Sequence, residues 1–277
     1  MPRNLLISIA IFLLSAFSTH TAASTDAPCR FEDGMIWLKV STAQDRSLNF
    51  LLDTGASATV IDLQAAHRLG LALGPAQAVQ GVHTQGTAYP VRGFSASVAG
   101  LPLPRNILAL DLSRVSAGCH HSIDGLIGAD FLHDHDIEVD TAIDRVRLLE
   151  PAEIQTSGCE ILYVSIRNGA PCVRASVGKA PADWMRVDTG CNSAAEWVAS
   201  SKLAQKAAGA SIGLATASRQ TVETSIQLGA QEISGMKVGL HTQPIFAGES
   251  GLLGTGVLSR FKVTLDLRGH RLLLAKR

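Results

Sequence analysis

The 277-residue chain is 46% hydrophobic and 17% charged, and its 24 Lys+Arg balance its 24 Asp+Glu. That apolar content excludes an intrinsically disordered chain, which is charge-rich and apolar-poor. With no run of basic residues, the zero net charge argues against nucleic acid as the partner and against a surface held to membranes by lysines and arginines.

Taken in chain order, the first segment reads as an export signal. Arg3 supplies the positive start, residues 5–17 are apolar apart from small residues, and Thr21-Ala22-Ala23 offers a cleavage site after Ala23. The apolar run is shorter than the ~20 residues a membrane span needs. Residues 1–23 are therefore expected to be removed, leaving a periplasmic or secreted protein with no stable membrane association. The five cysteines, Cys29, Cys119, Cys159, Cys172 and Cys191, are an odd number, so at least one has no partner within the chain.

The remainder is predicted to be mostly β. Residues 35–41 and 48–52 read as a hairpin. Residues 62–71 carry apolar positions at helical spacing, with Gly70 or Gly74 to stop the helix. Residues 78–82 and 88–94 form a second hairpin around His83, Thr84, Gln85 and Gly86. Strands are expected at 136–140 and 145–149, and a junction at 150–157. Beyond it the plan recurs: strands at 161–167 and 172–177, a helix at 196–208, and a hairpin of 212–217 and 222–228 around Ser218, Arg219 and Gln220. Strands at 261–266 and 271–274 complete it.

The recurrence is written in the residues. Leu51-Leu52-Asp53-Thr54-Gly55-Ala56 returns as Arg186-Val187-Asp188-Thr189-Gly190-Cys191, an offset of 135. The same offset carries Gly34 to Gly169, Leu38 to Val173 and Ser41 to Ser176. Leu126-Ile127-Gly128 likewise returns as Leu252-Leu253-Gly254. A tandem duplication accounts for this, with lobes at 24–150 and 151–277. An acid at the end of a buried strand is costly to desolvate. Meeting that cost twice, at equivalent positions, suggests that the two acids serve each other.

Asp53-Thr54-Gly55-Ala56 with Leu126-Ile127-Gly128, and Asp188-Thr189-Gly190 with Leu252-Leu253-Gly254, resemble the aspartic proteases of the bacterial retropepsin-like type, over nearly all of residues 30–277. The resemblance implies two acid-protease β-barrel lobes, each with a short helix, fused in one chain that acts as a monomer. It implies an aspartic endopeptidase that hydrolyses peptide or protein substrates through a water between Asp53 and Asp188, without metal or cofactor. Two close carboxylates share a proton and titrate as a unit. Thr54 and Thr189 would cross-link the two loops, while Gly55, Gly190, Gly128 and Gly254 would permit close backbone approach. The two hairpin tips would be flaps.

Ala56 and Cys191 depart from the pepsin pattern, in which a hydroxyl stabilises the ionised carboxyl. An optimum less acidic than that of pepsins follows. Cys191 reads as a small buried hydrophobe in preference to a reactive thiol. His133-Asp134-His135-Asp136 carries metal-ligating side chains, but the flanking strands favour an ordinary polar turn there. No G-x-G-x-x-G occurs. The contrasting reading is a non-catalytic module that captures peptides between its lobes.

Overall fold

The computed structural model describes residues 25–44, 46–82, 84–198, 209–210 and 218–277. The expected signal at 1–23, His83, the strand expected at 212–217 and residues 199–208 of the expected helix lie outside the described residues.

The first half begins with β1 (Thr25–Glu32), β2 (Met35–Thr42) and β3 (Ser47–Leu52), then β4 (Val60–Asp62) and α1 (Leu63–Arg68). It continues through β5 (Gln77–Gly81), β6 (Thr84–Arg92), β7 (Ala96–Val98), β8 (Leu101–Pro102), β9 (Asn106–Leu110) and α2 (Ser113–Cys119). It ends with β10 (Gly125–Ile127), α3 (Ala129–Leu132), β11 (Asp136–Asp140) and β12 (Arg145–Leu149). Asp62 starts α1 by accepting from the amides of Gln64 and Ala65 at 2.9 and 3.0 Å, which satisfies donors the helix cannot use. The helix stops within the expected 62–71, where the Leu71 amide turns back to the Ala66 carbonyl.

A 3-10 turn, Pro151–Glu153, occupies the expected junction. The second half holds β13 (Cys159–Tyr163), β14 (Ser165–Arg167), β15 (Ala170–Val177), β16 (Asp183–Asp188), β17 (Ala195–Val198), β18 (Gly209–Ala210) and β19 (Ser218–Leu228). Then come β20 (Gln231–His241), β21 (Gly251–Gly254), α4 (Thr255–Leu258), β22 (Phe261–Asp266) and β23 (Arg271–Lys276).

The protein is mostly β, and the halves use one pairing plan. In the first, β3 runs parallel to β10, β10 antiparallel to β4, and β4 parallel to β9. In the second, β16 runs parallel to β21, β21 antiparallel to β17, and β17 parallel to β20. Strands β15, β16, β21, β17, β20 and β19 close on themselves through the β15–β19 pairing, a six-strand barrel. Alternation of side chains across these strands fills the interior with Val173, Met185, Val187, Leu253 and Ile226, all inaccessible to solvent.

Two expectations are corrected. Residues 196–198 belong to β17 and are not helical, because Ala195 and Trp197 are buried in the sheet and their tertiary pairing overrides an Ala-rich local preference. Ser218, Arg219 and Gln220 do not form a hairpin tip. They are strand residues of β19, paired to β18 at Gly209 and Ala210 and to β20 at Leu240.

A third sheet region was not foreseen. Strand β11 pairs with β12 and, across the junction, with β22; β22 pairs with β23, and β23 with β13. Residues 25–28 of β1 extend it alongside β12. Two ion pairs span it: Glu138 meets Lys262 at 2.9 Å, and Asp136 accepts from the Arg268 Nε at 3.0 Å.

Candidate active site

Strands β3 and β16 each end in a turn that begins with an aspartate. Asp53 Oδ1 accepts from the amides of Gly55 and Ala56 at 3.1 and 3.0 Å, and Asp188 Oδ1 from that of Gly190 at 2.9 Å. Such bonds from the following residues are how an aspartate shapes its own turn. Both turns face one another. A Cβ on Gly55 would strike the Asp188 carboxyl, and one on Gly190 would lie 2.6 Å from the Asp53 carboxyl carbon. Only glycine leaves room for the carboxyls to meet.

Thr54 and Thr189 lock the turns together. The Thr54 amide donates to Thr189 Oγ1 at 3.0 Å, and the Thr189 amide to Thr54 Oγ1 at 3.1 Å. Each hydroxyl then donates across: Thr54 to the Val187 carbonyl at 2.7 Å, Thr189 to the Leu52 carbonyl at 2.6 Å. Both threonines are buried, so no water substitutes for these bonds.

Gly128 and Gly254 sit behind the turns. A Cβ on Gly128 would overlap Ala58, and one on Gly254 would overlap the carbonyls of Ser193 and Cys191. The following residues hold the turns from behind: the Ala129 amide donates to the Ala56 carbonyl, and the Thr255 amide to that of Cys191, each at 2.8 Å.

Burial pushes the Asp53 carboxyl above its ordinary range, against the pull of the Ala56 amide, the hydrogen bond with Asp188 and the charge of Arg186. Asp188 is pushed well above, first by burial and then by the negative charge of Asp53. Both shifts favour retention of a proton by the pair, and a pair that shares one proton has one group to donate and one to accept. The Cys191 thiol is pushed up to about 12 by burial and by the charges of Asp188 and Glu196, consistent with the inert reading. It lies 3.1 Å from Ser193 Oγ.

Of the expected first flap, Gln85 and Gly86 lie on β6, with Thr84 paired to Gly81 at the start of the hairpin. Gln85, Gly86, Thr87 and Tyr89 line a cavity of about 390 Å³ with Leu110 and Arg114. All five cysteines are free. Asp136 is engaged by Arg268, and no metal-binding cluster occurs among the described residues.

Several residues escaped the sequence reading. Arg186 and Glu249 form a buried pair beside the aspartate turns, and the signal was available: an arginine stands inside an apolar strand where the first half has Leu51. Asp130 caps the first turn by accepting from the Thr59 amide at 2.9 Å and the Thr59 hydroxyl at 2.7 Å. Glu196 bridges Ser193 Oγ at 2.7 Å and His241 Nε2 at 2.6 Å. Gly209-Ala210-Ser211-Ile212-Gly213 spells the serine-hydrolase spacing G-x-S-x-G, with Ser211 outside the described residues. Its first two residues are a two-residue strand against β19.

Residues 38–131 match the family described as aspartyl protease. The match takes in Asp53, Thr54, Gly55 and Gly128, and it supports an aspartic protease family and a peptidase hydrolase in general. No curated protein matches the chain.

Proposed function

We propose that the protein is an exported aspartic endopeptidase of two tandem acid-protease lobes, residues 24–150 and 151–277, in which Asp53 and Asp188 together activate a water. Residues 1–23 act as the removable signal, and a single chain supplies both acids.

The observation that carries this reading is the pair of facing carboxyls on turns cross-linked by Thr54 and Thr189. In the proposed reaction the ionised carboxyl takes a proton from the water as it attacks the peptide carbonyl carbon. The protonated carboxyl donates to the carbonyl oxygen. Breakdown of the tetrahedral adduct returns a proton to the leaving amine, and no covalent enzyme intermediate forms. The substrate lies extended under the β5–β6 hairpin, pairing its backbone with the cleft. The cavity beside Gln85, Tyr89 and Arg114 receives one of its side chains.

The test is cleavage of a broad peptide library by the wild type, Asp53→Asn and Asp188→Asn, with and without a transition-state-like inhibitor. Cleavage by the wild type alone, blocked by the inhibitor, is expected. Cleavage that survives both substitutions defeats the paired acids. Peptide binding by a wild type that cleaves nothing favours the capture module.

A further inference from the structure

Arg186 precedes Asp188 by two residues in β16, and the 135-residue offset maps it to Leu51. A buried guanidinium is costly unless its donors find acceptors. Here Nε and Nη2 grip Glu249 at 2.7 Å each, and Nη1 donates to the Gly55 carbonyl at 2.7 Å. The Phe246 ring lies 3.6 Å from the guanidinium carbon, and Asn168 steadies Glu249 at 2.7 Å. The strand that delivers one aspartate therefore holds the backbone of the other's turn. Leu51, being apolar, offers nothing in return.

We infer that Arg186 is a positioning residue which fixes the Gly55 carbonyl and places a permanent positive charge beside the facing carboxyls. The inference rests on the reading of Asp53 and Asp188 as the catalytic pair.

The surrounding charges are few. On the same strand and across from it stand Asp188 and Asp53, and from the segment before β21 comes Glu249. On β15 the Cys172 thiol, pushed up to about 12 by burial and by Glu249, stays neutral. Arg167 on β14 is turned to the Gly248 carbonyl at 3.1 Å. Beside Asp188, Cys191 is also neutral, and Glu196 is paired with His241. The charge of Arg186 favours the ionised form of both Asp53 and Asp188.

Two variants move this charge in opposite senses. Arg186→Met with Glu249→Leu removes both members and avoids stranding a buried carboxylate. Glu249→Gln keeps the guanidinium but cancels its counter-charge. The readout is the titration of Asp53 and Asp188 in full-length protein carrying ¹³Cγ-aspartate, assigned with Asp53→Asn and Asp188→Asn, together with the pH–rate profile. The double variant is expected to raise the lower titration of the pair by about one pH unit, and Glu249→Gln to lower it, since an opposite charge at close range shifts a carboxyl by about 1–3 units. Wild-type titration in both variants, or displacement in the same direction in both, overturns the inference. The titration needs no substrate, so opposite shifts in a chain that cleaves no peptide count against the protease reading alone.

Discussion

Replacing Thr189 by Val removes one hydroxyl and leaves the bulk of the side chain nearly unchanged. The lost oxygen accepts from the Thr54 amide at 3.0 Å and donates to the Leu52 carbonyl at 2.6 Å. Both partners sit at the base of the facing turns, with Thr189 only 4% exposed and Thr54 fully buried. A buried polar group left without a partner costs about 1–3 kcal/mol, so two of them give a loss of roughly 2–6 kcal/mol. For a chain of this size a kilocalorie per mole lowers Tm by about 2–4 °C. Thr189→Val should therefore melt roughly 4–24 °C below the wild type by differential scanning calorimetry, and Thr189→Ser should recover most of that. Thr54→Val strips the Thr189 amide and the Val187 carbonyl in the same way. Because the two hydroxyls share one network, the double substitution should cost measurably less or more than the sum of the singles. A Thr189→Val protein within about 0.5 kcal/mol of the wild type, the range of an ordinary surface substitution, would show that the cross-link is not what holds the turns.

Asp188→Asn should stabilise the fold at neutral pH. The raised Asp188 carboxyl means that the folded chain keeps a proton which the unfolded chain has released, so wild-type stability falls as pH rises out of the ordinary carboxylate range. Relative to the wild type, the Asn variant should gain stability in urea unfolding at pH 7 and little below the ordinary carboxylate range; a gain independent of pH would contradict this origin. The thiol of Cys191, pushed up to about 12, should react with iodoacetamide at pH 8 roughly a thousandfold more slowly than free cysteine, following its thiolate fraction. Labelling of Cys191 at the free-cysteine rate, followed by peptide mass spectrometry, would show an activated thiol instead.

The repeat was legible because duplication preserves register. The offset that joins Asp53 to Asp188 also carries β4, at 60–62, onto 195–197, inside β17. Local composition suggested helix from 196 on, and the structure shows strand at both ends of that offset. The threonine cross-link was legible only through the family resemblance, since nothing in a tripeptide says which backbone its hydroxyl will reach. Arg186 with Glu249, and Ser193 with Glu196 and His241, were missed for another reason. Arg186 stands out against Leu51 at the 135-residue offset, but Glu249 lies 63 residues from it and His241 45 residues from Glu196, and nothing local names such a partner. The same holds for β11 against β22, which pairs Val139 with Val263. Each strand was read correctly by itself, but strand pattern names a face to be buried and not the neighbour that buries it.

The sheet built from both halves has a consequence for how this chain is assembled. Residues up to 150 can complete their own hairpin of β11 and β12, yet β11 then shows a bare edge whose Ile137 and Val139 are covered in the finished protein. An uncovered edge of that kind recruits any strand of suitable shape, including one from another copy. Its proper partner, β22, is synthesised only after every strand of the six-strand barrel has been made. Closing a sheet over so long a stretch of chain is slow, because the loop must be ordered before the pairing rewards it. The step that joins the two halves is thus also the step most exposed to mispairing, and the Lys262–Glu138 contact across that seam helps choose the right strand when it arrives.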